Sequence, residues 1–268
     1  MSSEKTVALA VCAHPDDIEF MMAGTLLLLK RAGVEIHMWN LLTGSCGTAH
    51  HTKEEIVRLR KQEAQDAAAV ADAVIHAPIR DDLELFYDSE TLRAVASVVR
   101  EVRPTIVLTH SPQDYMEDHQ NACRLTVSAV FARGMPNYAV TPPRAPYDAP
   151  VALYHALPHG RCDALRRPIA SSHYVNIASV LPTKREMLAR HRSQKEWLDV
   201  SQGMNVYLRE MEAISRAVGK RSERFEVAEA WRLHLHLGYG PKDYDPLKSL
   251  LGDECWLDPA WPVEETTA

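Results

Sequence analysis

Between Val7 and Phe131, short apolar runs rich in β-branched residues alternate with stretches of helical periodicity. This alternation restricts the fold more than any other property of the 268-residue sequence. Val7 to Cys12 reads as a strand closed by a turn at Ala13-His14-Pro15. A helical pattern follows over Asp17 to Ala32, with Asp16 and Asp17 at its acidic start and Gly33 ending it. Val34 to Leu42 reads as a second strand, and Lys53 to Ala73 as an alanine-rich amphipathic helix. Val74 to Pro78 is a short strand, Thr91 to Val102 a helix, Thr105 to Thr109 a buried-type strand, and Gln120 to Phe131 a further helix. Such alternation predicts an α/β, Rossmann-like three-layer fold with a mostly parallel central sheet and right-handed crossovers. Ligands in these sheets bind outside the carboxyl ends of the strands. Two loops therefore stand out, His14 to Asp17 and His110 to His119, and both are dense in metal-capable side chains.

The second half is less regular. Met135 to Pro150 is proline-rich and reads as a surface excursion, followed by strands at Val151 to His155 and His173 to Ile177. Leu181 to Gly219 is helical in pattern, interrupted near Gly203. Phe225 to Leu237 is ambiguous, helical at its start and alternating around His234 and His236. The tail beyond Gly240 reads as a wrap or a frayed end. With no repeat and no low-complexity linker, residues 1–268 are expected to form one domain. A formal net charge of -6 argues against a nucleic-acid partner, which calls for a basic face. The 5 cysteines are widely spaced, with no C-x-x-C pair, unlike a zinc-finger or secreted disulfide framework. Met1 to Thr6 lacks a signal-like start, and no apolar run is long enough to span a bilayer. The expectation is a cytoplasmic protein with no membrane association.

His14-Pro15-Asp16-Asp17 lies at a strand-to-helix turn, where side chains project above the sheet edge. His14 and Asp17 can face one point. A histidine and a carboxylate suit zinc, which acidifies water, and Asp16 stands beside them to take a proton. The same residues alone could equally be acidic caps of a helix. The second cluster, Asp114 to His119, offers His119 as a third ligand and Asp118 as a partner that orients it.

Taken together, these residues resemble the LmbE-like/PIG-L zinc-dependent N-acetylglucosaminyl deacetylase family. Ala13-His14-Pro15-Asp16-Asp17 resembles its A-H-P-D-D signature, and Thr43-Gly44 with Gly47 its T-G-x-x-G loop. Arg60 to Ala64 resembles an R-x-x-E-A helix, and Asp114-Tyr115 with Asp118-His119 a D-Y-H-P-D-H segment. Lys184 with His191 to Gln194 is similar to K…H-x-S-Q, and Glu229 to Trp231 to a late E-x-F/W element. The resemblance covers about residues 7–231. It implies a metal site at His14, Asp17 and His119, with Asp16 as general base and Asp118 as a second catalytic carboxylate. It implies that Arg60 and Asp81 or its neighbour Asp82 meet the substrate, and Tyr115, His155 and His159 are added as further candidate contacts, the two histidines because they lie at or near the end of an expected strand. The cofactor implied is Zn2+, although such a ligand set also accepts Fe2+, cobalt or manganese. The substrate implied is a small N-acetylated sugar or conjugate, and relatives often form homo-oligomers.

One position departs from that pattern. Met116 stands where the family carries a histidine that protonates the leaving amine or stabilises the tetrahedral intermediate, and Glu117 replaces the proline. Either Asp16 carries the proton both ways, or His110, His155 or His159 supplies the missing group. Two other readings stay open: an amidase removing a larger acyl group from a thiol–sugar conjugate, and a non-catalytic sugar-binding protein.

Overall fold

The structure, a computed structural model, describes residues 6–202 and 207–261. Its first half runs β1 (Val7–Cys12), α1 (Asp17–Met21), α2 (Ala23–Arg31), β2 (Glu35–Asn40), α3 (Lys53–Val70), β3 (Val74–His76), α4 (Ser89–Val102), β4 (Ile106–Thr109) and α5 (Glu117–Phe131). The second half adds β5 (Ala152–Ala156), β6 (His173–Asn176), α6 (Leu181–Leu188), α7 (Arg192–Gln202), α8 (Tyr207–Ser222), β7 (Ala228–Leu233), α9 (Pro246–Leu251) and β8 (Cys255–Leu257).

One eight-stranded sheet links them in the order β3-β2-β1-β4-β5-β7-β6-β8. The first five strands of that order are parallel, and β7, β6 and β8 extend it in antiparallel fashion. From β1 the chain winds outward through β2 to β3, then returns as β4 on the other side of β1. That reversal opens a crevice between the carboxyl ends of β1 and β4, where doubly wound sheets bind ligands. Val11 pairs with Thr109, so the two predicted loops leave the sheet side by side.

β1 has no exposed face. Ala8, Ala10 and Cys12 enter one core layer with Leu26 and Leu29 of α2 and Met187 of α6. Leu9 and Val11 enter the other with Val95 and Val99 of α4 and Leu125 of α5. A parallel strand covered by helices on both sides needs such a continuous apolar run.

The structure corrects several expected boundaries. The helix expected over Asp17 to Ala32 is two helices, broken at Met22 with φ -132°. The cause lies 205 residues downstream of Gly24, in β7. The Glu229 carboxylate accepts the backbone N–H groups of Gly24 and Thr25 at 2.8 and 2.7 Å and the Thr25 hydroxyl at 2.6 Å, which starts α2 afresh. A Cβ on Gly24 would sit 2.5 Å from Ile177 Cγ2, so only glycine allows this approach. α5 begins at Glu117, earlier than expected, which carries Asp118 and His119 on its first turn. Phe225 to Leu237 resolves into β7, because burial between β5 and β6 overrides the local helical preference. The 135–150 segment is irregular, as expected, but Val140 and Tyr147 are buried, and the Arg100 and Arg133 guanidinium groups bind backbone carbonyls at 132, 135, 144 and 149. The tail is ordered through α9 and β8. Gly203 and residues 262–268 lie outside the described residues.

Candidate active site

The turn between β1 and α1 places Asp16 at φ 107°, in the left-handed region that aspartate tolerates better than most residues. The two adjacent carboxylates then serve different neighbours. Asp17 Oδ2 accepts the His14 backbone N–H at 2.7 Å and lies 3.5 Å from His14 Nδ1, while its Oδ1 lies 3.4 Å from His119 Nε2. Asp16 accepts a short hydrogen bond from the Tyr207 hydroxyl on α8 and lies 4.0 Å from the Arg60 guanidinium on α3.

Each imidazole meets a second carboxylate on its far side. His14 Nε2 is 3.3 Å from Asp118 Oδ2, and His119 Nδ1 is 3.1 Å from Asp114 Oδ1. Asp118 also accepts the Leu83 backbone N–H, and Asp114 that of Met116. Carboxylate–histidine pairs of this kind fix the tautomer and aim the other ring nitrogen at a metal. The ligand atoms of His14, Asp17 and His119 lie within 4.8 Å of one another, as do those of His110, Asp114 and His119. The first set suits an ion better. In the second, His110 Nε2 accepts the Ala13 backbone N–H at 2.9 Å and His119 Nδ1 faces Asp114.

The electrostatics match a cation-binding centre. Burial opposes charge on His14, but hydrogen bonds to Asp118 and Asp17 outweigh it and raise its pKa to about 9. Burial likewise opposes charge on His119, but the Asp17 charge and the Asp114 hydrogen bond raise it to about 10. Burial disfavours the Asp17 carboxylate too, yet the His119 and His110 rings hold it well below the usual range. Without a metal, the site therefore draws protons to the positions a divalent ion would neutralise. Asp16 differs: burial is the largest influence and lifts its pKa to about 6, against the pull of Arg60.

Asp16, Asp17, His14 and His119 open into a cleft of about 390 Å³ that also exposes Asp118, Tyr115, Met116 and His159. Asp118 faces His14, so it positions that ring, and it is Asp114 that orients His119. Arg60 reaches the cleft wall but is 2% exposed, its guanidinium donating to the carbonyls of Pro15 and Gly44. Asp81 does not line the cleft: it accepts from Thr43 and pairs with Lys53 at 2.5 Å. Its neighbour Asp82 does, with both carboxylate oxygens holding the N–H groups of Gly44 and Cys46. His155 is buried in β5, bonded to the His110 carbonyl and to His234, and is not part of the cleft. His110 is fully buried and stacked 4.1 Å from His119. Of the three histidines considered for the Met116 role, His159 is the one at the cleft, its ring 5.3 Å from that of Phe20.

Other motif residues build the support. Glu63 accepts from the Ser193 N–H and hydroxyl, and the buried His191 lies 3.3 Å from the buried Glu19. Trp231 is core, with its indole N–H donating to Thr25, whereas Trp197 lines the cleft. Sequence reasoning missed Tyr207, which approaches Asp16 across 191 positions with no motif to announce it.

Residues 9–130 match the profile of the family described as PIG-L: GlcNAc-PI de-N-acetylase. A diacetylchitobiose deacetylase from Thermococcus kodakarensis is 29% identical over 192 residues, covering 69% of each chain. A probable N-acetyl-alpha-D-glucosaminyl L-malate deacetylase 2 from Bacillus cereus is 26% identical over 70% of this chain and 83% of its own. A 4-oxalmesaconate hydratase from Pseudomonas putida is 30% identical over 48% of this chain and 53% of its own. Among solved structures, the 4-carboxy-2-hydroxymuconate hydratase GalB of Pseudomonas putida superposes with TM-score 0.72 at 22% identity, covering 85% of this chain and 95% of that one. The N,N'-diacetylchitobiose deacetylase of Pyrococcus horikoshii gives TM-score 0.72 at 20% identity, covering 92% and 89%. The shared profile falls on the β1 and β4 loops that bring His14, Asp17 and His119 together, so residues 9–130 are similar to the PIG-L (LmbE-like) family in the part that builds the cleft.

Proposed function

We propose that this protein is a zinc-dependent N-deacetylase that removes the acetyl group from N-acetylglucosamine-type sugars or their conjugates. One observation carries the reading: His14, Asp17 and His119 converge while the adjacent Asp16 stays outside the set with its pKa lifted to about 6. Zinc, or another divalent ion on those three residues, supplies Lewis acidity that polarises an amide carbonyl and acidifies water. Asp16 accepts the proton of the attacking water, and a group titrating near the working pH suits that task. Tyr207 and Arg60 hold the carboxylate in place. Asp114 and Asp118 keep His119 and His14 aimed. With Met116 at the cleft, the proton for the leaving amine comes back from Asp16 or from His159.

All five cysteines are free, and no helix among the described residues is long and apolar enough to cross a membrane. Both facts fit the proposed cytoplasmic setting. We also read residues 1–268 as one catalytic unit, since the sheet runs from Val7 to Leu257, and take assembly into a homo-oligomer as part of the proposal.

The test is to supply metal-loaded protein with N-acetylglucosaminides and to measure amine and acetate together. Equal release supports the reading, and a longer acid from acylated conjugates moves it to a broader amidase. Asp16→Asn should lower kcat by about 10²–10⁴-fold with metal content unchanged. Loss of metal with activity retained would overturn the assigned role.

A second reading, hydration of an unsaturated carboxylate, draws on Met116 and on the hydratase relative. Adding water across a double bond needs no proton for a departing amine. Loss of ultraviolet absorbance from an unsaturated oxo-dicarboxylate, without any deacetylation, would favour it.

A further inference from the structure

The cleft carries charge of predominantly one sign. Asp16, Asp17, Asp82, Asp118 and Glu210 line it against one guanidinium, that of Arg60. Arg60 is closed to ligands. Its two terminal nitrogens donate to the Gly44 carbonyl at 3.2 Å and the Pro15 carbonyl at 2.9 Å, and Gly44 and Gly47 press on it so closely that a Cβ on either would approach within 2.7 Å. Glu210 is half-buried at the wall and, among the described residues, has no hydrogen bond and no lysine or arginine pair. Even with two positive charges held by His14, Asp17 and His119, carboxylates outnumber cations.

Much of the remaining lining is apolar, beside His159 and Gln194. Phe20, Met21, Leu83, Tyr115 and Trp197 face the same space, with Leu83 and Tyr115 67% and 56% exposed. Such surfaces suit the C–H face of a sugar ring, with Glu210 left to accept from its hydroxyls.

We propose that the site takes uncharged or cationic N-acetylated amino sugars, short oligosaccharides included, and rejects substrates carrying phosphate or carboxylate groups. This rests on the N-deacetylase reading and names its substrate class. A cleft with walls of one sign excludes ligands of the same sign through the field it focuses.

The experiment compares N-acetylglucosamine with its 6-phosphate, which differ only in the charged group, using the metal-loaded full chain. Amine release should favour the uncharged sugar by at least roughly tenfold in kcat/KM, and the preference should shrink as salt is raised. Glu210→Lys should narrow the preference mainly through KM, with Glu210→Gln between it and the unaltered protein. Circular dichroism checks that each variant is folded. Equal or faster turnover of the phosphate overturns the proposal while leaving the deacetylase reading intact. An unchanged preference in folded Glu210→Lys likewise overturns the part assigned to Glu210. Amine release from neither sugar overturns the deacetylase reading, and this proposal with it.

Discussion

The carboxylates of Asp16 and Asp17 are neighbours in sequence, yet the left-handed turn at Asp16 gives them opposite electrostatic fates. The Tyr207 hydrogen bond favours the charged Asp16, so Tyr207→Phe should raise its pKa. The acid limb of the kcat/KM profile should then move to higher pH, and a shift to lower pH would contradict this account. Behind Asp16, burial opposes charge on His191, but Glu19 outweighs it and raises the imidazole above its ordinary value. A raised folded value means this group's stabilisation is complete below the unfolded pKa of about 6.5 and is lost as pH rises through the folded value. Urea unfolding of His191→Gln should therefore show a larger deficit at pH 6 than at pH 9. The convergence of His14, Asp17 and His119 was legible because they sit in two short runs at predictable strand ends. Tyr207 and Glu19 were not, since one arrives from a distant helix and the other reads as an ordinary surface residue of an amphipathic pattern. Asp81 and Asp82 were indistinguishable until the loop geometry turned one toward Lys53 and the other toward Gly44 and Cys46.

At the scale of elements, the break between α1 and α2 ties the active-site turn to the far half of the sheet. Glu229 holds the start of α2, and Lys184 Nζ of α6 donates to the same carboxylate at 2.6 Å, with both side chains buried. Removing one partner of a buried pair costs about 3–5 kcal/mol, because the other charge is left unmatched. Lys184→Met should show a loss of that order in denaturant unfolding, and adding Glu229→Gln should recover part of it. A loss below about 1 kcal/mol, typical of an exposed pair, would mean the clamp is not structural. Periodicity anticipated most of the elements through β4, whose apolar runs and caps are local. It erred at Met22 and at β7, where the deciding partners are remote.

For the whole molecule, the strand order sets the site before any side chain is considered, because the reversal beside β1 opens one crevice and the two richest loops flank it. With His14 raised to about 9 and His119 to about 10, both rings are protonated at pH 7 in the absence of metal. Ligand imidazoles must be neutral, so loading a divalent ion at pH 7 should expel about two protons per site. An indicator dye in weakly buffered solution measures this, and metal uptake without proton release would contradict the assigned ligands. The sources of the parts also matter. His14, Asp17 and His119 all come from the stretch 9–130, while Tyr207, one of the groups that favour the charged Asp16, comes from α8. The three converging side chains thus come from one portion of the chain, and part of what tunes the Asp16 carboxylate comes from another. Changes in the later portion can shift the Asp16 carboxylate in part while His14, Asp17 and His119 stay as they are, a fine adjustment that descent or engineering can make without rebuilding the cluster.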